Sequence, residues 1–516
     1  MSATTHGRAR ADSDPLSRVL KPASGESPQE RQARLEQEAE AKRISDAIDE
    51  QLRREKVEKT KARKEIRVLL LGQSESGKST TLKQFQLLYA PSSFAIEAPS
   101  WRPIIYLNLV RSIRRILEII TIAEIDYNAY DDQPLSPVSP TIGTPERARR
   151  PTLNLGITDE ELAAFASIRA ALSPLLDLED RLIALLSDPE EDSGEATHLN
   201  TSAFRTTAGG AGRGKEVALG GGWKRALGKW SGKNGSRHGH GSAENDEVDW
   251  TTDPRDPIHV LQRCATDMEI LWEDERVQDI LRKRRARMEE NPGFYLNDIR
   301  RIVSSTYIPS IDDVLKARLK TLGVVEHRFS PTAGGTLGGN RFSKGTGQGE
   351  VDWLIYDVGG ARNQRHVWAP FFDDVQALIF LAPISAFDQV LTEDTLVNRM
   401  EDSMLLWRNI VSNKLLRNVN LVLFLNKCDL LQKKLQSGIQ LKTYMTSYGD
   451  RPNDFESIGR YFQSKFAAMH QTMTPNPERE LYIHLTSVID TRATEKIINS
   501  VREMILKDSL KRTKLL

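Results

Sequence analysis

The sequence has very little cysteine, with only Cys264 and Cys428 among 516 residues. Two cysteines cannot build the disulfide framework of a small secreted domain, and the first thirty residues lack the apolar run of a signal peptide. Long apolar runs are also missing, because the most apolar window, 104–125, is interrupted by Arg111, Arg114 and Arg115. These absences predict a protein of the reducing cytosol that does not span a membrane.

A strong net charge and a lipidation motif are missing too. Lys and Arg number 72 against 71 Asp and Glu, so the net charge is +1 and no nucleic-acid partner is expected. The second residue is Ser2 rather than glycine, and no cysteine lies near either end to carry a lipid. Peripheral association with the inner face of the plasma membrane would therefore have to occur without an evident lipid anchor.

The N-terminal part of the chain divides into two segments. Residues 1–27 are rich in Ser, Pro, Ala and charge, which predicts a disordered tail. Residues 28–64 are dense in Glu, Lys, Arg, Gln and Ala, with Ile44, Ile48 and Leu52 spaced four apart, and predict a long polar helix. That narrow apolar stripe could pack on the chain's own domain or dock a partner.

Several short apolar runs predict buried parallel strands separated by helices. The runs have strand length and are apolar nearly throughout, as expected when helices cover both faces of a sheet. They are Ile66–Leu71, Val351–Tyr356, Ala377–Ala382 and Asn420–Leu425, with helical patterns at Thr80–Leu88, Leu396–Ser412 and Ala493–Leu506. The sequence thus predicts a doubly wound α/β domain formed by residues 65–93 and 313–516.

Residues 94–312 are far more than a strand-helix-strand crossover needs, and we interpret them as an inserted all-α domain. Two sets of apolar residues have helical spacing: Leu109, Ile113, Ile116 and Ile120, and Leu261, Cys264, Met268 and Leu271. Segments of about 127–151 and 188–253 are rich in Pro, Ser, Thr or Gly and predict disordered inserts, and a third Gly-rich segment covers 330–349.

Gly72-x4-Gly77-Lys78-Ser79 lies between the first strand and the first helix, as a phosphate-binding loop requires. In such a loop the backbone N–H groups surround the phosphates, the lysine reaches the β- and γ-phosphates, and the Ser79 hydroxyl binds Mg²⁺. A glycine-rich turn with a surface lysine is the alternative, and the flanking strand and helix favour the phosphate loop.

Two further motifs follow predicted strands. In Asp357-Val358-Gly359-Gly360 the carboxylate can hold a water of the metal ion, and a glycine N–H can meet the γ-phosphate. In Asn426-Lys427-Cys428-Asp429 the carboxylate can accept hydrogen bonds from the N1–H and amino groups of guanine, which adenine does not offer. Each could be an ordinary polar turn by itself, but the ordered set predicts a GTP site.

With these motifs in this order, the chain resembles the alpha subunits of heterotrimeric G proteins over about residues 30–516 without the inserts. The resemblance implies a P-loop Ras-like GTPase domain, with a doubly wound and mostly parallel sheet, interrupted by an all-α helical domain. It is carried by Glu75-Ser76-Gly77-Lys78-Ser79-Thr80, residues 313–321, the Asp357–Gly360 and Asn426–Asp429 motifs, and Thr486-Ser487-Val488.

The resemblance also implies roles for single residues. Arg318 would be the built-in arginine finger, the catalytic residue that stabilises charge on the γ-phosphate, and Thr321 would join Ser79 as a ligand of Mg²⁺. Asp429 and Lys427 would hold the guanine, while the 486–488 loop would offer N–H groups to its carbonyl oxygen. The remaining nucleotide-binding residues implied are Glu75, Ser76, Gly77, Lys78, Thr80, Asp357, Gly360 and Asn426.

Family membership would likewise imply partners. These are a beta-gamma dimer on the N-terminal helix and switch surface, a seven-helix receptor on the C-terminal helix ending at Leu516, and an effector of unknown identity. The function implied is a GTP/GDP switch in receptor-coupled signal transduction, with weak hydrolysis of GTP to GDP and phosphate. A nucleotide-bound scaffold that does not hydrolyse GTP is the alternative, and a P-loop ATPase or kinase would require Asp429 to be incidental.

Three departures from the family pattern bear on the mechanism. Ala361 stands where the family has the glutamine that orients the attacking water, which predicts a rate loss on the order of 10²-fold unless Asn363 or Gln364 supplies the contact. The switch ion pair becomes Arg365 with Asp402, one methylene shorter than the family's glutamate, which predicts a weaker latch. Gln73 replaces a small residue and either intrudes on the phosphates or points away.

The segment 205–237 is basic and contains Trp223 and Trp230. Basic charge with interfacial tryptophan suits an anionic membrane surface, whereas the many glycines favour a flexible, solubilising loop. Both interpretations remain open from the sequence.

Overall fold

A computed structural model of the chain describes residues 27–28, 32, 36, 39–40, 42–50, 53, 65–131, 158–186, 218–219, 250–321, 323–329, 352–391 and 393–512. The chain divides into two units, residues 1–64 and 65–516. In the first unit, residues 42–50 are helical, and Ile44 and Ile48 are about half exposed. Residues 1–26, Leu52, the 205–237 segment apart from 218–219, the 330–349 segment and residues 513–516 lie outside the described residues, as do most of both predicted inserts.

A six-stranded sheet forms the centre of the second unit, and its buried strands follow from their apolar sequences. The strands are Glu65–Gly72 (β1), Val324–Phe329 (β2), Asp352–Val358 (β3), Ala377–Pro383 (β4), Asn420–Asn426 (β5) and Leu481–Leu485 (β6). Their order in the sheet is β2-β3-β1-β4-β5-β6, and every neighbouring pair is parallel except the antiparallel pair β2 and β3. The four strands expected from the sequence are confirmed, within a mostly parallel sheet.

Helices cover both faces of the sheet, because alternate residues of each strand point to opposite sides. On β1, Val68 and Leu70 belong to one apolar core, while Leu69 and Leu71 belong to another on the opposite face. The helices packed around the sheet are Lys78–Tyr89 (α1), Arg399–Val411 (α10), Cys428–Gln436 (α11), Phe455–Met473 (α12) and Thr491–Arg512 (α13). The three sequence-predicted helices are found here with slightly different ends.

A separate helical core lies between α1 and β2 in the sequence. Its helices are Pro91–Glu97 (α2), Arg102–Asp131 (α3), Asp159–Ala171 (α4), Pro174–Leu186 (α5), Ile258–Glu273 (α6), Glu275–Lys283 (α7), Ile299–Ile302 (α8) and Ile311–Lys316 (α9). Both predicted apolar faces are buried in this core. Residues 127–131, which we placed in a disordered insert, instead continue α3, and 250–252 form a 3-10 turn.

Short elements connect these parts. Ala218–Leu219 pairs in parallel with Lys320–Thr321. The longest 3-10 helix is Arg362–Phe371, and shorter ones are Ala98–Trp101, Trp250–Thr252, Met288–Glu290, Leu296–Asp298, Ile384–Ala386, Leu441–Thr443 and Thr446–Tyr448. Among the described residues, no helix combines the length and apolarity needed to cross a bilayer.

A buried ion pair ties the start of α3 to the segment before α6. Arg102 Nη2 lies 2.5 Å from Asp256 Oδ2, with both side chains almost fully buried. Asp256 Oδ1 also accepts from the N–H of Ile258 at the start of α6. Since a buried charge is costly unless it is paired, this contact fixes how the two ends of the helical core meet.

We predict that Asp256→Ala lowers the free energy of unfolding by about 3–5 kcal/mol, because it leaves Arg102 buried without its counter-charge. Urea unfolding of the purified full chain measures this loss. Asp279→Ala is the matched control, since Asp279 pairs with Lys283 at the surface and such pairs contribute about 0–1 kcal/mol. Equal losses in the two variants would contradict the structural role of the buried pair.

Candidate nucleotide-binding site

The loops that follow β1, β3 and β5 meet at one edge of the sheet, because the carboxyl ends of parallel strands share an edge. They line a cavity of about 620 Å³ together with residues 315–321 and the loop after β6. All of the sequence-predicted site residues line this cavity except Ser76 and Thr486. Residues separated by up to about four hundred positions in the chain are therefore brought to one site.

The phosphate loop adopts a backbone that its glycines permit. Gly72 and Gly77 have φ angles of 145° and 106°. A Cβ at Gly72 would lie 2.5 Å from Leu381 O, and a Cβ at Gly77 would lie 2.4 Å from Asn426 Nδ2. Lys78 Nζ donates to the carbonyl oxygens of Gly72 and Gln73 at 2.9 and 2.7 Å. Burial lowers the pKa of Lys78 to about 8, although Asp357 opposes the shift. The loop thus holds a cation next to its backbone.

Three oxygen-bearing side chains converge beside this lysine. Ser79 Oγ donates to Asp357 Oδ2 at 2.8 Å and lies 3.0 Å from Thr321 Oγ1, which itself donates to Asp357 Oδ2 at 3.2 Å. Asp357 Oδ1 is buried and has no hydrogen-bond partner among the described residues, and burial raises the pKa of this carboxyl. Two hydroxyls and a carboxylate are hard oxygen donors of the kind that Mg²⁺ prefers, so these residues fit the metal ion.

Asn426 connects the phosphate loop to the loops that follow β5 and β6. Its Nδ2 donates to Ser76 O at 2.7 Å, while its Oδ1 accepts from Thr486 Oγ1 at 3.1 Å and from Val488 N at 3.2 Å. Ser76 and Thr486 therefore support Asn426 from outside the cavity. Asp429 remains on the cavity wall, where Ser487 Oγ donates to its Oδ1 at 2.8 Å.

Arg318 is held at the cavity by its side chain and by its backbone. Its Nη2 lies 2.6 Å from Glu75 Oε1, and Arg399 binds the other Glu75 oxygen at 3.1 Å. Burial alone would raise the pKa of Glu75, but Arg318, Arg399 and Lys427 outweigh it and lower the pKa to about 2. The carboxylate is therefore charged at any physiological pH.

Asn108, on α3, is a site residue that the sequence analysis missed. Its Oδ1 accepts from Arg318 N at 2.6 Å, and its Nδ2 donates to Arg318 O at 3.0 Å. In the sequence, Asn108 stands out only as a single amide within a helical stretch of apolar residues. In the structure its side chain is buried. Asn108 thus fixes the backbone that carries the predicted arginine finger.

The shorter Asp402 still reaches Arg365. Arg365 Nη1 and Nη2 bind its two oxygens at 3.0 and 2.5 Å, so the lost methylene does not break the pair. Gln73 Nε2 donates to Asp402 Oδ2 at 2.6 Å and to Arg399 O at 2.7 Å. The Gln73 side chain therefore points away from the phosphates and connects the phosphate loop to α10.

The two amide residues near Ala361, Asn363 and Gln364, differ in their position relative to the cavity. Ala361 and Gln364 line the cavity, whereas Asn363 is exposed and lies outside its lining. Of the two residues that could replace the missing glutamine, the structure brings only Gln364 to the site.

Comparison with known proteins agrees with this geometry. The family model described as "G-protein alpha subunit" matches residues 42–505. The chain is 31% identical to the guanine nucleotide-binding protein alpha-4 subunit of Mycosarcoma maydis, over 97% of this chain and 95% of that protein. It is 26% identical to the alpha-2 subunit of Neurospora crassa, over 92% and 96% of the two chains.

The chain therefore belongs to the G-protein alpha subunit family, with its Ras-like GTPase fold and helical domain. It is a guanine nucleotide-binding GTPase that switches between GTP and GDP states in signalling. The expected family and fold class are confirmed.

We predict that Gln73→Ala lowers the free energy of unfolding by about 1–3 kcal/mol, because it leaves the buried Asp402 and the Arg399 carbonyl each with one donor fewer. Thermal or urea unfolding of GDP-loaded protein measures the change. The exposed Gln432→Ala serves as the control for loss of a glutamine side chain. A loss no larger than that of the control would show that the Gln73 contacts do not stabilise the fold.

We also predict that Asp429→Asn weakens GTP binding by at least about 10-fold and favours XTP, because an amide N–H can donate to the 2-oxo group of xanthine where guanine has an amine. Competition of GTP, XTP and ATP against a fluorescent guanine nucleotide measures the preference. Unchanged GTP affinity in this variant would place the base elsewhere.

Proposed function

We propose that the cavity binds GTP or GDP with Mg²⁺, and that the GTP-bound form orders the segments around Thr321 and Gly360–Arg365. The observation that carries this proposal is the meeting of the phosphate loop, Asp357, Arg318 and the Asn426–Asp429 loop around one cavity. Ser79 and Thr321 would hold the metal directly, and Asp357 through its hydration water. When bound, Mg²⁺ would neutralise charge on the phosphates.

The remaining residues around the cavity fit defined tasks. Lys78 would bind the β- and γ-phosphates, and its burial makes the interaction stronger than it would be in water. Arg318 is partly exposed and paired with Glu75, so it can extend toward charge that develops on the γ-phosphate. Asp429 would select guanine, with Lys427 and the 486–488 loop completing the base site.

Hydrolysis by this chain is proposed to be slow. The Ala361 methyl group can neither donate nor accept a hydrogen bond, so it cannot orient the attacking water. The group that stabilises transition-state charge, Arg318, is retained. The result is a switch that stays in its GTP form longer than one with glutamine at this position.

The family supports the remaining assignments. We assign residues 65–93 and 313–516 to the GTPase domain, 94–312 to the helical domain and 28–64 to an N-terminal helix. Alpha subunits generally act with beta-gamma dimers and receptors, and we propose the same partner classes here, together with an unidentified effector. Work at the cytoplasmic face of the plasma membrane would follow from those partners.

We predict that Ala361→Gln accelerates single-turnover hydrolysis of preloaded GTP on the order of 10²-fold, because it restores one positioned amide. The measurement follows phosphate release after Mg²⁺ is added to GTP-loaded protein. Ala361→Leu is the control, since it adds a side chain of similar reach without the amide.

Two outcomes would contradict this proposal in different ways. If the parent hydrolyses GTP as fast as Ala361→Gln, another group already positions the water fully. If neither protein turns over tightly bound GTP, the chain is the non-hydrolysing scaffold.

A further inference from the structure

Gln364 occupies a position from which it can reach the nucleotide. It lies in the 3-10 helix Arg362–Phe371, three residues after Ala361, and its N–H donates to Ala361 O at 2.9 Å. Gln364 is one of the residues that line the nucleotide cavity, as are Lys78, Arg318 and Thr321. The neighbouring Asn363 is exposed and does not line it, so the two amides next to each other in sequence differ in location.

The amide oxygen of Gln364 is buried and has no hydrogen-bond partner in the part of the chain that the structure describes. A buried polar atom without a partner costs about 1–3 kcal/mol, so an acceptor retained in this state indicates a ligand that donates to it. The cavity it lines is where the reacting groups of GTP would lie. A water molecule is the smallest ligand that could supply the missing hydrogen.

A second acceptor lies close to this oxygen. A Cβ built on Gly359 would be 2.0 Å from Gln364 Oε1 and 3.0 Å from the carbonyl oxygen of Thr321. The two oxygens are therefore at most about 5 Å apart, a separation that one water can span by donating a hydrogen bond to each. A water held in this way keeps its lone pairs directed away from both acceptors.

We propose that Gln364 is a catalytic residue that orients the attacking water, in place of the amide that is missing at Ala361. This inference rests on the proposed function and identifies the group that supports the remaining hydrolysis. Gln364 Oε1 and Thr321 O accept the two hydrogens of the water, and the water oxygen faces the γ-phosphorus.

In the reaction, the water oxygen forms a bond to the γ-phosphorus while the bond from that phosphorus to the β–γ bridging oxygen breaks. GDP leaves with the bridging oxygen and its electron pair. One water proton stays on the attacking oxygen and the other passes to a γ-phosphoryl oxygen, so the released product is H₂PO₄⁻. The neutral amide of Gln364 takes no proton, so its contribution is position alone. Arg318 supplies the charge stabilisation in the same step.

The test is single-turnover hydrolysis by GTP-loaded Gln364→Ala, with Asn363→Ala as the matched control. We expect Gln364→Ala to hydrolyse GTP at least about 10-fold more slowly than the parent, and Asn363→Ala to match the parent. Dissociation of a fluorescent GTP analogue and the fluorescence of Trp368, whose Nε1 donates to Gly359 O at 3.0 Å, should stay at parental values, because a water-orienting role does not affect the fold of this segment.

The same substitution in the Ala361→Gln background separates a catalytic role from a structural one. Once position 361 supplies the amide, loss of the Gln364 amide should change the rate by less than about 2-fold. An equal loss in both backgrounds would overturn the proposal, since it would show that Gln364 supports the fold of the segment. A parental rate in Gln364→Ala would overturn it as well.

Failure of the proposed function looks different. If the parent does not retain GTP, the nucleotide assignment fails for every variant. If GTP is retained and only the Gln364 substitutions leave the rate unchanged, the switch assignment stands and the inference fails.

Discussion

The carboxylate of Glu75 is the contact on which the rest of the site depends. One oxygen binds Arg318, which belongs to the segment after the helical core, and the other binds Arg399 at the start of α10. The Glu75 side chain is largely removed from water, which would raise the pKa of its carboxyl, but the nearby cations outweigh this effect and lower the pKa to about 2. The phosphate loop is thereby joined to two parts of the chain that differ in fold and lie far apart in sequence.

Helix α1 and the helical core together hold the Arg318 segment in place. Lys83, on α1, donates to the carbonyl oxygens of Val314 and Ala317 at 2.7 and 2.8 Å. These residues directly precede Arg318, whose backbone exchanges two hydrogen bonds with Asn108. Burial lowers the pKa of Lys83 to about 7. Because the Lys83 amine has little access to water, the two carbonyl oxygens take the place of water as its hydrogen-bond acceptors. Donors and acceptors that are already held in position need little rearrangement when charge develops in the transition state. Electrostatic catalysis depends on this preorganisation.

The sequence predicted what depends on local pattern. The strands are apolar runs buried on both faces, and each nucleotide motif is a short segment at the end of one strand, so both are visible without tertiary structure. Asn108 and the orientation of Gln73 were not predictable, because their partners are 210 and 329 residues away and no periodicity specifies them. The location of Gln364 depends on a 3-10 turn, whose hydrogen bonds leave no strong sequence signal.

The two departures at Asp402 and Ala361 can be understood as one rearrangement. Asn398 caps α10 with its side chain and so fixes the first turn, from which Asp402 binds both Arg365 and Gln73. The amide of Gln73 donates a hydrogen bond to Asp402 that a small residue at position 73 would lack. This additional donor helps to hold the Asp402 carboxylate, which lies one methylene closer to its backbone than that of the family's glutamate. Since Arg365 directly follows Gln364, the same ion pair restrains the backbone beside the Gln364 amide. A polar contact from the phosphate loop thus stabilises the segment that carries Gln364, the residue proposed to orient the water.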